Sequence, residues 1–248
     1  MDNIILIFVF LIGISIGSFL NVVIYRLPRN KSIISPPSTC PKCNNRLKPW
    51  HNIPIISWLF LKGKCAYCSN NISIRYPVIE TITGILAIIV YNKTGLDIFF
   101  IINFAIFATL LALSVIDIDH KAVPDSLNLL ALTLSFFHSP DILSNFTNAL
   151  LLMGGMSLIR YYVSFIVKRE AMGEGDIIVG GTMGALLGVK LALFALFIGS
   201  AIAIIPSIYN RIRNNDIELP FIPFLTIGTF IVWYFNDYFT LLWSSIYG

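Results

Sequence analysis

Residues 111–125 read Leu-Ala-Leu-Ser-Val-Ile-Asp-Ile-Asp-His-Lys-Ala-Val-Pro-Asp, so a long apolar run ends abruptly in carboxylates, the first of which is Asp117. A distant counterpart, Gly-Glu-Gly-Asp at residues 173–176, places Asp176 at the start of another apolar run. Charges at the edge of the hydrocarbon are energetically costly and commonly mark functional sites. Asp117 and Asp176 are therefore the candidate functional residues, and we expect them to face each other from two helices.

Composition places the chain among integral membrane proteins. Of its 248 residues, 56% are hydrophobic and only 12% are charged, whereas roughly 25% are charged in an ordinary soluble domain. Apolar segments recur from Ile4 to Trp243. The first of them, Ile4–Tyr25, is long enough to span a bilayer, and we interpret it as a retained helix. The pattern predicts an all-α polytopic fold with about eight transmembrane helices.

Two sets of glycines predict close helix packing. Gly13 and Gly17 lie four residues apart in the first apolar run, and Gly180, Gly184 and Gly188 repeat that interval in a later run. That run extends from Ile177 to Gly188, and the next extends from Leu191 to Tyr209. Glycines on one helical stripe allow a neighbouring backbone to approach closely. We expect each stripe to lie against another helix.

Positive charges are distributed unevenly along the chain. Nine of the 17 Lys and Arg residues lie between Arg26 and Arg75, an interval that contains no Asp or Glu. Loops enriched in Lys and Arg stay on the cytoplasmic side of a membrane. We therefore expect this segment to face the cytoplasm, and the order of the apolar runs puts Asp117 and Asp176 on the same side.

The same basic segment contains all four cysteines of the chain. They form two Cys-x-x-Cys pairs separated by 21 residues, namely Cys40, Cys43, Cys65 and Cys68. Cytoplasmic cysteines are normally reduced, and two such pairs can supply four thiolates to one tetrahedral zinc ion. We predict a structural zinc site, although an iron–sulfur cluster would use the same ligands.

These segments predict three domains. Residues 1–25 form the first transmembrane helix, residues 26–76 a small cytoplasmic zinc-ribbon-like insertion, and residues 77–248 the transmembrane core. The insertion is too short to bury a large apolar core of its own, so a bound metal would stabilise it.

Two converging carboxylates can perform hydrolysis without a metal. One acts as a general base on a water molecule while the other, protonated, polarises a carbonyl group, as in aspartic proteases. The neighbouring acids have structural interpretations, because Asp119 lies two residues from Asp117 and would point away on a helix, while Asp125 stands where the next helix would begin. Residues 77–248 are thus interpreted as an aspartic protease core.

Several groups of residues occur together in a characteristic order. They are Gly-Ser-Phe-Leu-Asn-Val-Val at 17–23, Arg-Leu-Pro at 26–28, Pro-Trp-His-Asn-Ile-Pro at 49–54 between the cysteine pairs, Arg-Tyr-Pro-Val-Ile-Glu at 75–80, Ile-Asp-Ile-Asp-His at 116–120, Val-Pro-Asp at 123–125 and Gly-Glu-Gly-Asp at 173–176. In this combination the chain resembles the bacterial type IV prepilin peptidases, and the resemblance covers most of its length. It implies that Asp117 and Asp176 are the catalytic pair.

The resemblance also implies the reaction and its setting. A protein of this family cleaves the short basic leader of type IV prepilins or pseudopilins, after a Gly and before a Phe-like residue, on the cytoplasmic side of the bacterial inner membrane. Members with the cysteine domain also N-methylate the new terminus with S-adenosylmethionine, for which Asn21, Arg26 and the zinc domain are candidate contacts by position only. The expected partners are these substrates and the lipid bilayer, with no nucleic acid.

The sequence departs from the family at two places and leaves other functions open. Residues 220–223 read Pro-Phe-Ile-Pro, where family members often have Gly third, and no Lys follows Asp176 closely. Membrane-edge acids also occur in ion- or proton-coupled transporters, here one with a cytoplasmic zinc domain. A membrane-anchored zinc adaptor, in which the acids are incidental, is a third possibility.

Overall fold

The computed structural model describes residues 2–170, 172–214 and 219–247. Helices in this part of the chain are α1 (Asp2–Arg26), α2 (Ile56–Phe60), α3 (Arg75–Thr94), α4 (Ile98–His120), α5 (Asp125–Ser135), α6 (Ile142–Val167), α7 (Glu174–Asn214), α8 (Ile222–Tyr234) and α9 (Asn236–Tyr247). Short 3-10 turns cover Leu27–Arg29 and Pro49–Asn52. Extended pairing among the described residues is limited to two isolated antiparallel bridges, so the predicted all-α class is confirmed.

Four helical segments are long and apolar enough to cross a membrane. They are Asn3–Arg29, Ile98–His120, Ile142–Val167 and Glu174–Tyr209. Helices α5, α8 and α9 are shorter than the roughly 20 residues that an untilted span requires. The chain is therefore an all-helical membrane protein, and the count of eight spans remains a prediction.

The chain divides into two compact units, Met1–Phe100 and Ile101–Gly248. In the first unit, α1 packs along α3 at the predicted glycines. A Cβ added to Gly13 would lie 2.8 Å from the Cα of Gly84, and one added to Gly17 would lie 2.8 Å from the Cα of Glu80. The two helices thus meet backbone to backbone, as the spacing of Gly13 and Gly17 predicts.

In the second unit, α7 packs against α6 through the other glycine stripe. A Cβ on Gly184 would lie 2.6 Å from the carbonyl oxygen of Asn148, and one on Gly180 would collide with the Met156 side chain. Helix α7 is interrupted at Gly188, where φ is +72° and the backbone is not helical. This break lies where one predicted apolar run ends and the next begins.

Helix α8 is held between α7 and α4. Its Gly228 lies so close to the carbonyl oxygen of Ala195 in α7 that no side chain would fit there. On the α4 side, the ring of Phe107 packs 4.9 Å from that of Trp233, and the Ser114 hydroxyl is 3.0 Å from the hydroxyl of Thr226. This antiparallel packing carries the first residue of α8 to the last turn of α4, which contains Asp117.

Candidate active site

Asp117 lies in the last turn of α4 and is only 6% exposed. Its Oδ2 accepts a hydrogen bond of 3.1 Å from the backbone N–H of Ile222, the first residue of α8. The first N–H groups of a helix have no partner within that helix, and their partial positive charge favours a carboxylate. Asp117 therefore accepts a hydrogen bond at the start of α8, and that contact fixes the orientation of its side chain.

Asp176 lies in the first turn of α7 and is half-buried. Its Oδ2 accepts a 3.2 Å hydrogen bond from the backbone N–H of Gly173, in the manner of an acid that reaches back to the residue before a helix. Gly175 lies against Val123, because a Cβ on Gly175 would be 2.8 Å from a Val123 methyl carbon. The segment that follows Asp117 therefore touches the turn that carries Asp176.

The segments that carry Asp117 and Asp176 lie side by side, since Gly175, directly before Asp176, packs against Val123, six residues after Asp117. Each carboxylate has one oxygen engaged by a backbone amide, from Ile222 or from Gly173. Two carboxylates that approach each other closely cannot both ionise without mutual repulsion, and such a pair would share one proton. This is the arrangement that acid–base hydrolysis by two carboxyl groups requires.

Asn128 is a site residue that sequence reasoning missed. It lies in α5, has no exposed surface, and its Nδ2 donates a 2.9 Å hydrogen bond to the carbonyl oxygen of Gly175. That bond fixes the amide orientation, because a carbonyl can only accept. Within the described part of the chain its Oδ1 has no hydrogen-bond partner. The sequence feature that could have identified it is a polar Asn within the short apolar run 126–137.

The remaining acids of the two motifs lie apart from the pair. Asp119 is exposed, and Asp125 begins α5. Glu174 is exposed and forms an ion pair of 3.3 Å with Arg160 of α6, which also lies 3.6 Å from Glu170. Arg160 thus joins the end of α6 to the start of α7 rather than neutralising the buried pair.

The four cysteines form a second cluster, in the first unit. Their Sγ atoms all lie within 4.8 Å of one another, and those of Cys40 and Cys68 are 3.9 Å apart. Tetrahedral zinc with Zn–S bonds of about 2.3 Å requires sulfur atoms about 3.8 Å apart, so the cluster fits a Cys₄ zinc ion. The backbone N–H of Cys43 lowers the pKa of the Cys40 thiol to about 7, which favours the thiolate that a metal binds.

The two Cys-x-x-Cys segments have the same backbone design. The Cys40 N–H donates to the Asn45 carbonyl at 3.0 Å, and the Cys65 N–H donates to the Asn70 carbonyl at 2.8 Å. In each segment a residue with positive φ follows the second cysteine, and an antiparallel bridge closes the loop. These paired loops aim the sulfur atoms at a common centre.

Comparisons with known proteins give family matches for both halves of the chain. Residues 11–94 match the profile of the bacterial peptidase A24 N-terminal domain, and residues 104–208 match that of the type IV leader peptidase family. The chain is 31% identical to a prepilin leader peptidase/N-methyltransferase of Neisseria gonorrhoeae, over 91% of this chain and 89% of that protein. The similarly named protein of Legionella pneumophila is 32% identical over 92% and 90%. No solved structure gives a significant match.

Proposed function

Because this chain belongs to the type IV leader peptidase family, we propose that it removes the leader peptide from type IV prepilins or related pseudopilins. The single observation that carries this proposal is that Asp117 and Asp176 lie at the ends of two apolar helices whose flanking residues, Val123 and Gly175, pack together. The relatives that carry this activity in their names align over about nine-tenths of both chains, so the proposal concerns the whole protein.

In the proposed reaction the two carboxyl groups exchange protons with water and peptide. The ionised carboxylate takes a proton from a water molecule as the water oxygen attacks the scissile carbonyl carbon. The protonated partner hydrogen-bonds to the carbonyl oxygen and stabilises the charge that develops there. When the C–N bond breaks, the leaving nitrogen takes up a proton, and the pair returns to its singly protonated state.

The amide contacts of the pair support these roles. The N–H groups of Ile222 and Gly173 each hold one oxygen of an aspartate in place, and in the proposed reaction the other oxygen of each side chain acts on water and substrate. The fixed orientation means that little rearrangement is needed at the moment of reaction. Ile222 can perform this role although many family members have Gly at that position, because the contact uses only its backbone N–H.

We place the active site at the cytoplasmic face of the bacterial inner membrane, in a chain with about eight spans. The support is the charge distribution, with nine cations and no acid between Arg26 and Arg75. The first unit contains these cations and the cysteine cluster, which we assign as a structural zinc site. We assign residues 26–76 as the domain that carries this site. It follows a first helix of residues 1–25 and precedes a core of residues 77–248.

N-methylation of the new terminus is the second proposed activity. It is supported by the names of the relatives and by the match of residues 11–94 to the N-terminal domain of the bacterial enzymes. S-adenosylmethionine would supply the methyl group, and the acceptor amine must lose a proton for its nitrogen to attack. Asn21 and Arg26 remain candidate contacts, although the Asn21 amide already donates to the Tyr76 carbonyl at 3.1 Å.

Co-expression with a prepilin tests the peptidase directly. Leader removal is compared between the wild type, Asp117→Asn and Asp176→Asn, with Asp119→Asn as the matched control on the exposed side of the same helix end. The proposal predicts that both pair variants lose cleavage while membrane level and zinc content stay normal and the control cleaves. Cleavage that survives both substitutions would exclude Asp117 and Asp176 as the catalytic groups, and a wild type that cleaves no prepilin would favour ion transport.

A further inference from the structure

The short helix α2 presents apolar side chains outward from a polar domain. Ile56, Leu59 and Phe60 are 47%, 61% and 84% exposed. Residues three and four apart lie on the same helical face, so these three form one surface. The outward face of a helix in a water-exposed domain is normally polar, and a contiguous apolar face marks an interaction site.

The opposite side of α2 is firmly attached to its domain, so the exposure is not a result of poor packing. The indole of Trp58 covers Gly63, where an added Cβ would lie 2.9 Å from the ring, and its Nε1 donates a 3.1 Å hydrogen bond to the carbonyl of Ile72. Gly63 in turn accepts a 2.7 Å hydrogen bond from the Ile72 N–H. Trp58 therefore fixes which face of α2 points outward.

The start of α2 is also tied to α3, which packs along α1 in the same unit. Ile55, directly before α2, has φ +61°, which is unusual for a β-branched residue, and its N–H donates a 2.7 Å hydrogen bond to Glu80 of α3. Glu80 is itself against Gly17 of α1. The start of α2 is thus held next to the pair formed by α1 and α3, and α1 is one of the four helices long and apolar enough to cross a membrane.

The residues around this face are those that suit an anionic lipid surface. Lys62 and Lys64 follow α2 and are exposed, and the Lys48 ammonium lies 5.1 Å from the ring centre of Trp50, which is also exposed. Trp and Lys are typical of the membrane interface, where the ring sits at headgroup level and the amine reaches the phosphates. The lack of any acid between Arg26 and Arg75 removes repulsion from such a surface.

We propose that α2 inserts its Ile56, Leu59 and Phe60 face into the headgroup region of the bilayer, with Lys48, Lys62 and Lys64 contacting anionic headgroups. The cysteine domain then lies flat on the membrane and is not free in solution. This inference is independent of the proposed catalytic roles of Asp117 and Asp176.

Photo-crosslinking in the full-length, zinc-loaded protein tests this contact. The photoreactive analogue p-benzoylphenylalanine replaces Phe60, or Asn45 as a matched exposed position on the first cysteine loop, and the protein is placed in nanodiscs of phosphatidylcholine with or without phosphatidylglycerol. The proposal predicts several-fold more lipid adduct from position 60 than from position 45, with a further increase when phosphatidylglycerol is present. Zinc content reports that each variant is folded.

The lysines give a second arm of the test. Lys62→Gln combined with Lys64→Gln is expected to abolish the increase with phosphatidylglycerol while leaving zinc binding intact. The proposal is overturned if position 60 forms no more lipid adduct than position 45, or if its adducts join another part of this chain or a second copy.

Discussion

Asp117 and Asp176 each accept a hydrogen bond from a backbone N–H at one carboxylate oxygen, and these bonds fix the orientation of the two side chains. The amide that contacts Asp117 comes from Ile222, which is 105 residues away, whereas Asp176 uses Gly173 of its own turn. Asp117 therefore depends on the tertiary packing of α8, and Asp176 on a local turn. We infer that the Asp176 turn needs a separate support, which Asn128 provides through the Gly175 carbonyl.

Replacing Asn128 tests that support. Asn128→Leu keeps the branched heavy-atom shape of the side chain but removes the hydrogen bond to Gly175, a loss of about 0.5–1.5 kcal/mol in stability. A displaced Asp176 would lower kcat for leader cleavage by about tenfold or more, since small errors in position are costly in catalysis. KM should change little, because the fully buried Asn128 side chain does not contact substrate.

The matched control for this prediction is Thr133→Val on the same helix. Thr133 is exposed, and its hydroxyl donates a hydrogen bond to the Leu129 carbonyl of its own turn. The Thr133→Val substitution should leave both kcat and KM unchanged. A folded Asn128→Leu protein with normal kcat would show that the Gly175 contact does not position the catalytic turn.

At the level of residues, the sequence identified the acidic side chains but not the groups that form hydrogen bonds with them or with their turns. Asp117, Asp176 and the cysteines are recognisable because charge at the end of an apolar run and paired Cys-x-x-Cys spacing are both local patterns. The Ile222 amide carries no sequence signal, since every residue except proline has an N–H. The contacts of Ile222 and Asn128 become visible only when α8 and α5 are packed in three dimensions.

Among the helices, glycine determines which backbones can touch. Gly184 lies against α6 so closely that a methyl group would meet the backbone of Asn148 at 2.6 Å. Gly154 in α6 has no other atom within 4 Å of an added Cβ. The two positions separate the effect of close packing from the general effect of removing a helical glycine.

We expect opposite effects of the same substitution at these two glycines. Gly184→Ala should destabilise the purified protein by about 1–3 kcal/mol through overpacking. Gly154→Ala should be neutral or stabilise by up to about 1 kcal/mol, since alanine is the better helix former. Thermal unfolding in detergent measures both, and at about 2–4 °C per kcal/mol the difference is resolvable. Equal melting temperatures would contradict the close contact of α6 and α7.

At the level of elements, sequence patterns predicted the glycine contacts and the break at Gly188. The short run after Pro124 was also expected, and α5 has 11 residues. The patterns could not show that Ile55 adopts positive φ or that its N–H binds Glu80, because both follow from tertiary contacts between a loop and a helix. Glu80 belongs to α3, whose charged residues leave it outside the four clear spans.

Considered as a whole, the chain keeps its two candidate sites in different compact units. The cysteine cluster lies in Met1–Phe100, and the aspartate pair lies in Ile101–Gly248. The side chains that would bind a metal are therefore different from those that would carry out acid–base hydrolysis. This separation predicts that the two proposed activities respond differently to loss of zinc.

Removal of a single cysteine should reveal that difference. Cys43→Ser or Cys68→Ser leaves three thiolates, so zinc content should fall well below one ion per chain and residues 26–76 should become sensitive to protease. Methylation should be lost while leader cleavage continues. His51→Gln is the control, because His51 lies nearby but outside the thiolate cluster, and this variant should retain zinc. Equal loss of cleavage and methylation in the cysteine variants would contradict the independence of the two sites.

The most direct test of the central claim is single-turnover cleavage of a purified prepilin by Asp117→Asn, Asp176→Asn and the double variant. Residues that act as one catalytic unit are not additive, so removing either one should cost nearly as much as removing both. We predict the same residual rate in all three proteins, with normal substrate binding. A double variant whose defect equals the product of two partial defects, or a single variant that retains normal cleavage, would contradict a shared-proton pair.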